Sequence, residues 1–309
     1  MKNIKKIAVL AGGPSSEREV SFMSSESVLK TLGNIGYDVT LIDPDQDLVE
    51  NLKKNNPDIV FNCLHGTYGE DGVIPGILEY LRIPYTHSGV LASANCFNKV
   101  KTNEILKNYG VKVPNSIVVG IEDLRSSLTQ KNHLMPIPYV IKPIAEGSTV
   151  GVYIIENENE LPDLSDWKYG DQVMLEEYIP GMELTCSVFD DEALVVTELA
   201  PKSGFYDYEA KYTDGMVEHI LPARVPDAVT KLCMEYSEKA HEIMGARTIS
   251  RSDFRYNGHG IHGLYFLEIN THPGFTSLSL VPEAAKYVGL SFEDLCQKLI
   301  DDAKLEISA

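Results

Sequence analysis

Polar residues at alternate positions of two neighbouring strands could together hold a metal ion. The segment RSDFRYNGHGIHGLYFLEINTHPG, residues 251–274, reads as two strands joined by a Gly-rich turn centred on Gly260–Ile261. Every second side chain of a strand lies on one face, and cross-strand neighbours lie about 5 Å apart. This register predicts two such pairs on one face: Asp253 opposite Glu268, and Arg251 opposite Asn270. Two carboxylates and an amide oxygen suit Mg²⁺ that also binds phosphate oxygens, so the hairpin predicts phosphoryl chemistry.

A solvated hairpin with charged residues on its open face is the alternative. Against it, the apolar residues Leu264, Phe266 and Leu267 interleave with Glu268 and Asn270, which indicates a strand covered on both sides. A buried carboxylate needs a partner or a metal. We therefore favour the metal site.

The segment IKPIAEGSTVGV, residues 141–152, predicts a loop that can bind phosphate. Lys142 stands at the end of a strand, and the Gly- and Ser-rich residues 147–151 form a turn before the next strand. Such a turn exposes backbone N–H groups that can wrap phosphate oxygens. The G-K-[ST] order of a Walker A loop is absent, and many Gly/Ser hairpins bind nothing, so an ordinary turn is the alternative.

The segment GGPSSERE, residues 12–19, follows a strand and opens a helix, where an anion could bind. Glu17 would repel phosphate there and would better receive an ammonium group. The G-x-G-x-x-G fingerprint is missing, which disfavours an NAD-dependent oxidoreductase. His65, taken alone, is more often a hydrogen-bonded loop residue than a catalyst.

Composition excludes several classes of partner. The formal charge of −18 over 309 residues argues against nucleic-acid binding and against an anionic membrane surface, while a few local cations could still bind ATP. The five cysteines are dispersed and contain no C-x-x-C pair, which is typical of a reducing compartment. The apolar run at the N-terminus is too short for a signal peptide, and no segment approaches the roughly 20 apolar residues that span a bilayer. We expect a cytoplasmic protein.

The order of the predicted elements indicates an α/β chain that is α+β in parts. Strands alternate with helices up to about residue 97, which favours a parallel sheet, and a strand-rich second unit follows. We predict three domains, at residues 1–97, 98–180 and 181–309. The polar and aromatic stretch at 201–221 predicts a lid hinged at Gly204 and Gly215, with an ordinary surface loop as the alternative.

Together these segments resemble the D-alanine–D-alanine ligases of the ATP-grasp superfamily. The motifs that carry the resemblance are AGGPSSEREVS, HGTYGEDG, IPYTHSGVLAS, KPIAEGSTVG, FYDYEAKY and EINTHPGFTSLSLVP, in that order over nearly the whole chain. The resemblance implies a three-domain ATP-grasp architecture, with ATP held between the sheets of the central and C-terminal domains. It also implies two Mg²⁺ or Mn²⁺ ions, two D-alanine substrates, a homodimer and a role in peptidoglycan precursor synthesis.

The resemblance also implies a role for individual residues. The two metal ions would be held by Asp253, Glu268 and Asn270, with Glu268 bridging the ions. The phosphates of ATP would be contacted by Lys99, Lys142 and Lys211. The adenine and ribose site would be lined by Glu176, Tyr178, Ile179 and Glu183. The oxyanion of the tetrahedral intermediate would be bound by Arg251 and the Gly274 N–H; the first ammonium by Glu17, with His65 nearby; the second carboxylate by Ser279 and the Leu280 N–H. Glu17, Ser148 and Tyr212 would form a hydrogen-bonded triad that pins the lid.

The sequence departs from the family pattern beside the metal residues. Ser252 and Arg255 replace residues that are usually apolar, and His272 stands at a variable position before Pro273. Two alternative functions are D-alanine–D-lactate ligation, which Tyr212 argues against, and an inactive ATP-binding regulator. The intact metal and oxyanion residues argue against the regulator.

Overall fold

The computed structural model describes residues 5–159, 161–201, 217–276 and 279–306. Its helices are α1 (Arg18–Ile35), α2 (Leu48–Asn55), α3 (Val73–Leu81), α4 (Val90–Phe97), α5 (Lys99–Asn108), α6 (Ile121–Thr129), α7 (Asp227–Met244), α8 (Leu280–Tyr287) and α9 (Phe292–Asp301). Its strands are β1 (Lys6–Leu10), β2 (Asp38–Ile42), β3 (Ile59–Asn62), β4 (Ser116–Gly120), β5 (Tyr139–Lys142), β6 (Tyr153–Ile155), β7 (Gln172–Glu177), β8 (Met182–Phe189), β9 (Glu192–Pro201), β10 (Val217–Ile220), β11 (Ile249–Tyr256) and β12 (Leu264–Asn270). No helix in these ranges is long and apolar enough to cross a bilayer.

The first sheet has the order β2-β1-β3 and is parallel throughout, as the alternation of strands and helices predicted. The apolar strands β1 and β3 are buried because helices cover both faces of the sheet. One face packs against α1 and α9, through Leu32 and Leu299 among others. The other packs against α2 and α3, through Leu52 and Leu78. The last helix of the chain therefore completes the core around its first sheet.

The second sheet has the order β4-β7-β5-β6 and is antiparallel. Helix α6 covers one face, where Leu124 packs with Tyr139 and Val173 in an apolar cluster. Val140 is the cross-strand partner of Glu176, and Lys142 lies two residues further along the same strand. Since alternate side chains share a face, Lys142 and Glu176 lie on the same side of this sheet.

The third sheet has the order β10-β9-β8-β11-β12 and is also antiparallel. Helix α7 covers the face that carries Phe254 and Phe266, so the alternate residues of β11 point away from α7. The predicted pairs are confirmed, because Asp253 lies opposite Glu268 and Arg251 opposite Asn270. The connection between these strands contains a short 3₁₀ turn at Gly260–Gly263, and the register shifts by one residue after Asp253.

Candidate active site

Two adjoining cavities contain every predicted site residue that the structure describes. One, called here the substrate cavity, is lined by the residues assigned to the two amino-acid substrates and to the oxyanion, and by the predicted metal ligand Asn270: Glu17, His65, Arg251, Asn270, Gly274, Ser279 and Leu280. The other is lined by those assigned to the nucleotide: Lys142, Glu176, Tyr178, Ile179 and Glu183. Both cavities share Lys99, Ser148, Asp253 and Glu268. Lys211, Tyr212 and the hinge residues of the predicted lid lie outside the described residues.

The acidic hairpin stands where the two cavities meet. Arg251 donates from Nε and Nη2 to the two carboxylate oxygens of Asp253, at 2.9 and 2.8 Å. The Thr185 hydroxyl donates to Asp253 Oδ1 at 2.6 Å, and Lys99 Nζ lies 3.2 Å from Glu268 Oε2. Each carboxylate therefore has a cation beside it, as buried carboxylates require.

The donor set at this hairpin fits a hard metal ion that shares its ligands with phosphate. The amide oxygen of Asn270 accepts from the backbone N–H of His272 at 2.8 Å, which fixes it beside the carboxylates while leaving a second lone pair. No group of three or more His, Cys, Asp or Glu side chains in the described ranges forms a metal cluster. Two carboxylates and one amide are too few for an all-protein cage and suit Mg²⁺ completed by water and phosphate oxygens.

Glu17 is a buried carboxylate in the substrate cavity. It is 5% exposed and stands directly before α1. The Ser148 hydroxyl donates to Glu17 Oε1, so the structure joins two members of the predicted triad across 131 residues of sequence. Ser148 has φ +50°, a left-handed conformation that costs a non-glycine residue energy and is found at sites where the surroundings fix it. The predicted phosphate loop is therefore bent so that the Ser148 hydroxyl reaches Glu17.

Two glycines make room for the Glu17 carboxylate. A Cβ at Gly147 would lie 2.8 Å from Glu17 Oε2, and one at Gly66 would lie 2.7 Å from the same atom. Both distances are shorter than real Cβ contacts, so any side chain at either position would displace the carboxylate. The loops that follow β3 and β5 thus together form the space that the Glu17 carboxylate occupies.

His65 hydrogen-bonds within the wall of the same cavity. Its Nε2 lies 3.1 Å from the Ser24 hydroxyl, and its Nδ1 lies 3.3 Å from Glu70 Oε1. Burial lowers the pKa of His65, but the hydrogen bond and charge of Glu70 and the charge of Glu17 outweigh it, so the net pKa is raised. The net pKa of Glu70 is also raised, because the effect of burial exceeds the lowering effect of its hydrogen bond to His65. The pair therefore holds a proton more tightly than either group would in water.

The nucleotide cavity contains a buried ion pair. Lys142 Nζ donates to Glu176 Oε1 at 2.6 Å, and the two residues are 7% and 3% exposed. Asn103 donates to the other oxygen of Glu176 at 3.4 Å. Removing one partner of such a pair leaves an uncompensated buried charge, so each residue fixes the other. The Lys142 ammonium group is thereby held at the end of β5, before the predicted phosphate loop.

The start of α8 lines the substrate cavity. Ser279 precedes that helix, and its hydroxyl oxygen accepts from the Thr276 N–H at 2.9 Å. Leu280 is the first helical residue, and the N–H groups at a helix start attract carboxylates. A Cβ at Gly274 would lie 2.9 Å from Ser279 Oγ, so Gly274 lets the loop after β12 approach this helix closely.

No site role was predicted for four described residues that line the cavities or contact their residues, and one of them, Arg255, was noted only as a departure from the family pattern: Glu70, Glu146, Thr185 and Arg255. Glu146 lines both cavities, and its pKa is raised by burial and by the charge of Glu17. Glu70 and Glu146 stand inside quoted motifs, so a search of those motifs for further carboxylates could have found them. Thr185 and Arg255 depend on the pairing of β8 with β11, which no local pattern reveals.

Two protein-family models match this chain, and both describe D-ala D-ala ligases. The N-terminal D-ala D-ala ligase model matches residues 45–88, and the C-terminal model matches residues 105–301. A D-alanine–D-alanine ligase from Wolbachia sp. subsp. Drosophila simulans is 48% identical over 306 residues, covering 98% of this chain and 95% of the relative. One from Ruegeria sp. is 46% identical over 305 residues, covering 98% and 97%.

Solved structures share the fold. A D-alanine–D-alanine ligase from Bacillus anthracis complexed with ATP superposes with a TM-score of 0.80 at 30% identity, covering 97% of each chain. A D-Ala:D-Ser ligase from Enterococcus faecalis superposes with a TM-score of 0.77 at 28% identity, covering 97% of this chain and 99% of the neighbour. The predicted ATP-grasp architecture is confirmed. With matching relatives along nearly its whole length and a family model over more than half of it, the chain belongs to the D-alanine–D-alanine ligase family.

Proposed function

We propose that the chain joins two D-alanine molecules into D-alanyl-D-alanine and converts ATP to ADP and phosphate. The observation that carries this proposal is the junction of the two cavities, which share Lys99, Ser148, Asp253 and Glu268. A nucleotide in one cavity can thus bring its terminal phosphate to an amino-acid carboxylate in the other. Nothing favours the alternative D-lactate acceptor or an inactive regulator.

The first step places a carboxylate against the γ-phosphate of ATP. The Glu17 carboxylate, fixed by Ser148, binds the ammonium group of the first D-alanine and so orients its carboxylate toward the junction. A carboxylate oxygen attacks the γ-phosphorus, the bond to the β-phosphate oxygen breaks, and ADP leaves. Lys99 and Lys142 neutralise charge on the transferring and leaving phosphates. Mg²⁺ or Mn²⁺ held by Asp253, Glu268 and Asn270 would supply further neutralisation of the phosphate oxygens.

The second step uses the acyl phosphate as an activated carbonyl. The amine of the second D-alanine attacks the carbonyl carbon, and the resulting oxyanion is stabilised by Arg251 and the Gly274 N–H. Ser279 and the Leu280 N–H bind the carboxylate of this second substrate. The carbon–oxygen bond to phosphate breaks, the amine loses a proton, and the dipeptide forms. Catalysis is thus mostly positioning and charge neutralisation.

The proposal extends to the setting of the reaction. The product would serve peptidoglycan precursor synthesis, and the reaction would run in the cytoplasm, where ATP is made. The five cysteines are all free and buried, in keeping with a reducing compartment. We propose a homodimer on the resemblance to the family alone, and light scattering of the purified protein tests it.

Mass spectrometry of the products formed from ATP, D-alanine and D-lactate together tests the function. We expect D-alanyl-D-alanine as the main product, with phosphate release that requires D-alanine and Mg²⁺. A predominance of the D-alanyl-D-lactate ester near neutral pH would overturn the choice of acceptor. ATP binding without any ligated product would support the regulator and overturn the ligase.

A further inference from the structure

Arg255 is a charged residue in the nucleotide cavity, at a position where the family resemblance leads one to expect an apolar side chain. It lies on β11, two residues beyond Asp253 and four beyond Arg251. Because side chains alternate along a strand, these three residues share the face of β11 that points away from α7. The face therefore runs from the substrate cavity at Arg251, past the predicted metal ligand, to the nucleotide cavity at Arg255.

Arg255 contacts three residues expected at the nucleoside end of that cavity. Its Nε donates to the backbone carbonyl of Ile179 at 2.9 Å, and its Nη1 lies 3.5 Å from Glu183 Oε2. Its guanidinium carbon lies 5.6 Å from the centre of the Tyr178 ring. Arg255 and Glu183 are also direct cross-strand partners on β11 and β8. One planar side chain thus connects the base-lining segment to the carboxylate assigned to ribose.

The position of Arg255 on β11 puts these contacts beyond the predicted metal ligand, on the side of the nucleotide cavity. Two residues of a strand span about 7 Å, so the backbone of Arg255 lies about that far from the backbone of Asp253. Asp253 lines both cavities and Arg255 lines the nucleotide cavity, so a nucleotide whose phosphates lay beside Asp253 would have its sugar on the Arg255 side. The Arg255 and Glu183 side chains are 12% and 15% exposed, so they are largely shielded from bulk water, and their charges are screened less than those of a surface pair.

We infer that Arg255 is a positioning residue for nucleotide selection, which holds Glu183 oriented toward the ribose hydroxyls and fixes the Tyr178–Ile179 segment against the base. The inference rests on the proposed ATP-dependent reaction where it is tested by the KM for ATP. It does not rest on that reaction where it is tested by the affinity for an ATP analogue. A carboxylate that is held in one orientation can accept hydrogen bonds from both ribose hydroxyls, so a sugar that lacks one of them binds less well. Arg255 therefore contributes to the preference for ATP over 2′-deoxy-ATP.

Replacing Arg255 with Met removes the guanidinium and keeps an unbranched apolar side chain. For Arg255→Met we expect the KM for ATP to rise about tenfold, equivalent to about 1.4 kcal/mol, while the KM for D-alanine and kcat change less than about twofold. The preference for ATP over 2′-deoxy-ATP should also fall. It should approach the weak preference that we expect for Glu183→Gln, which lacks the carboxylate itself. Arg255→Lys, which can keep the charge contact with Glu183 but not all three contacts, should recover part of the loss.

Calorimetry with a non-hydrolysable ATP analogue, without D-alanine, separates this inference from the proposed function. Arg125→Met is the matched control, because Arg125 likewise contacts a glutamate, Glu122, and a backbone carbonyl, that of Leu164, but lines neither cavity. We expect weaker analogue binding only in the Arg255 variants, even if the wild-type protein made no dipeptide. Unchanged analogue affinity and sugar preference in folded Arg255→Met or Arg255→Lys, or equal losses in the Arg125 variant, would overturn the inference.

Discussion

Gly147→Ala should separate substrate binding from folding. The new Cβ would lie 2.8 Å from Glu17 Oε2, and ordinary contact begins at 3.4 Å, so the carboxylate must move by about 0.6 Å. Only the far end of a flexible side chain has to move, and Gly147 does not have the positive φ that would strain an alanine. We therefore expect the free energy of unfolding to change by about 1 kcal/mol, the value of one hydrogen bond.

The effect of Gly147→Ala on D-alanine should be much larger. A charge-assisted hydrogen bond contributes about 1.5–3 kcal/mol, and its loss between Glu17 and the first ammonium group lowers kcat/KM for D-alanine by about tenfold to hundredfold. The KM for ATP should change less than the KM for D-alanine, because Glu17 lines the substrate cavity and not the nucleotide cavity, although Gly147 lines both. Steady-state kinetics at varied D-alanine, with thermal unfolding of the same samples, measure both quantities.

Gly76→Ala is the matched control for this prediction. Gly76 lies inside α3, and an added Cβ there would meet no atom within 4 Å. Alanine in a helix is favoured over glycine by about 0.5–1 kcal/mol, so this variant should be slightly more stable and fully active. A wild-type kcat/KM for D-alanine in folded Gly147→Ala would refute the assignment of Glu17 as the ammonium ligand.

Three further variants test other parts of the site. Asp253→Asn should abolish turnover and leave the unfolding transition nearly intact; a near-wild-type rate would remove Asp253 from the metal site. Lys142→Met should leave the buried Glu176 carboxylate without its cation, lowering the free energy of unfolding by about 3–5 kcal/mol in urea titrations and weakening ATP binding; unchanged stability would contradict the buried pair. Glu70→Gln should lower the pKa of His65 in an NMR titration, and an unchanged pKa would contradict their coupling.

The sign of the His65 effect on stability follows from the direction of its shift. The pKa of His65 is raised in the folded protein above its ordinary value of 6.5, so the folded state binds the proton more tightly than the unfolded state. Its contribution to stability is therefore full below about pH 6.5 and is lost as the pH rises through the folded pKa. In Glu70→Gln this pH-dependent contribution should shrink.

Local patterns predicted the parts of the fold whose partners are close in sequence. Asp253 and Glu268 belong to one hairpin, so the position of the turn and the alternation of side chains were enough to pair them. The parallel first sheet also followed from strands that alternate with helices. The register shift of one residue between Asp253 and Phe254 could not be predicted from the alternation of apolar and polar residues. It changes only the pairs between the metal residues and the turn.

Contacts between distant segments could not be predicted from spacing. The bond from Ser148 to Glu17 spans 131 residues, and only the family resemblance suggested it. The pairing of β8 with β11 sets Thr185 against Asp253 and Glu183 against Arg255, and it depends on how α7 packs beneath both strands. Charge and periodicity say which residues need partners, while tertiary packing decides which partners they obtain.

The transfer of oxygen from D-alanine to phosphate tests the central claim most directly. Wild-type protein would be given ATP, Mg²⁺ and D-alanine labelled with ¹⁸O in both carboxylate oxygens, and the released phosphate would be analysed by mass spectrometry. Because a carboxylate oxygen attacks the γ-phosphorus and leaves with it, we predict one ¹⁸O atom in each phosphate released per dipeptide. Dipeptide formation with unlabelled phosphate would contradict an acyl phosphate formed at the junction of the two cavities.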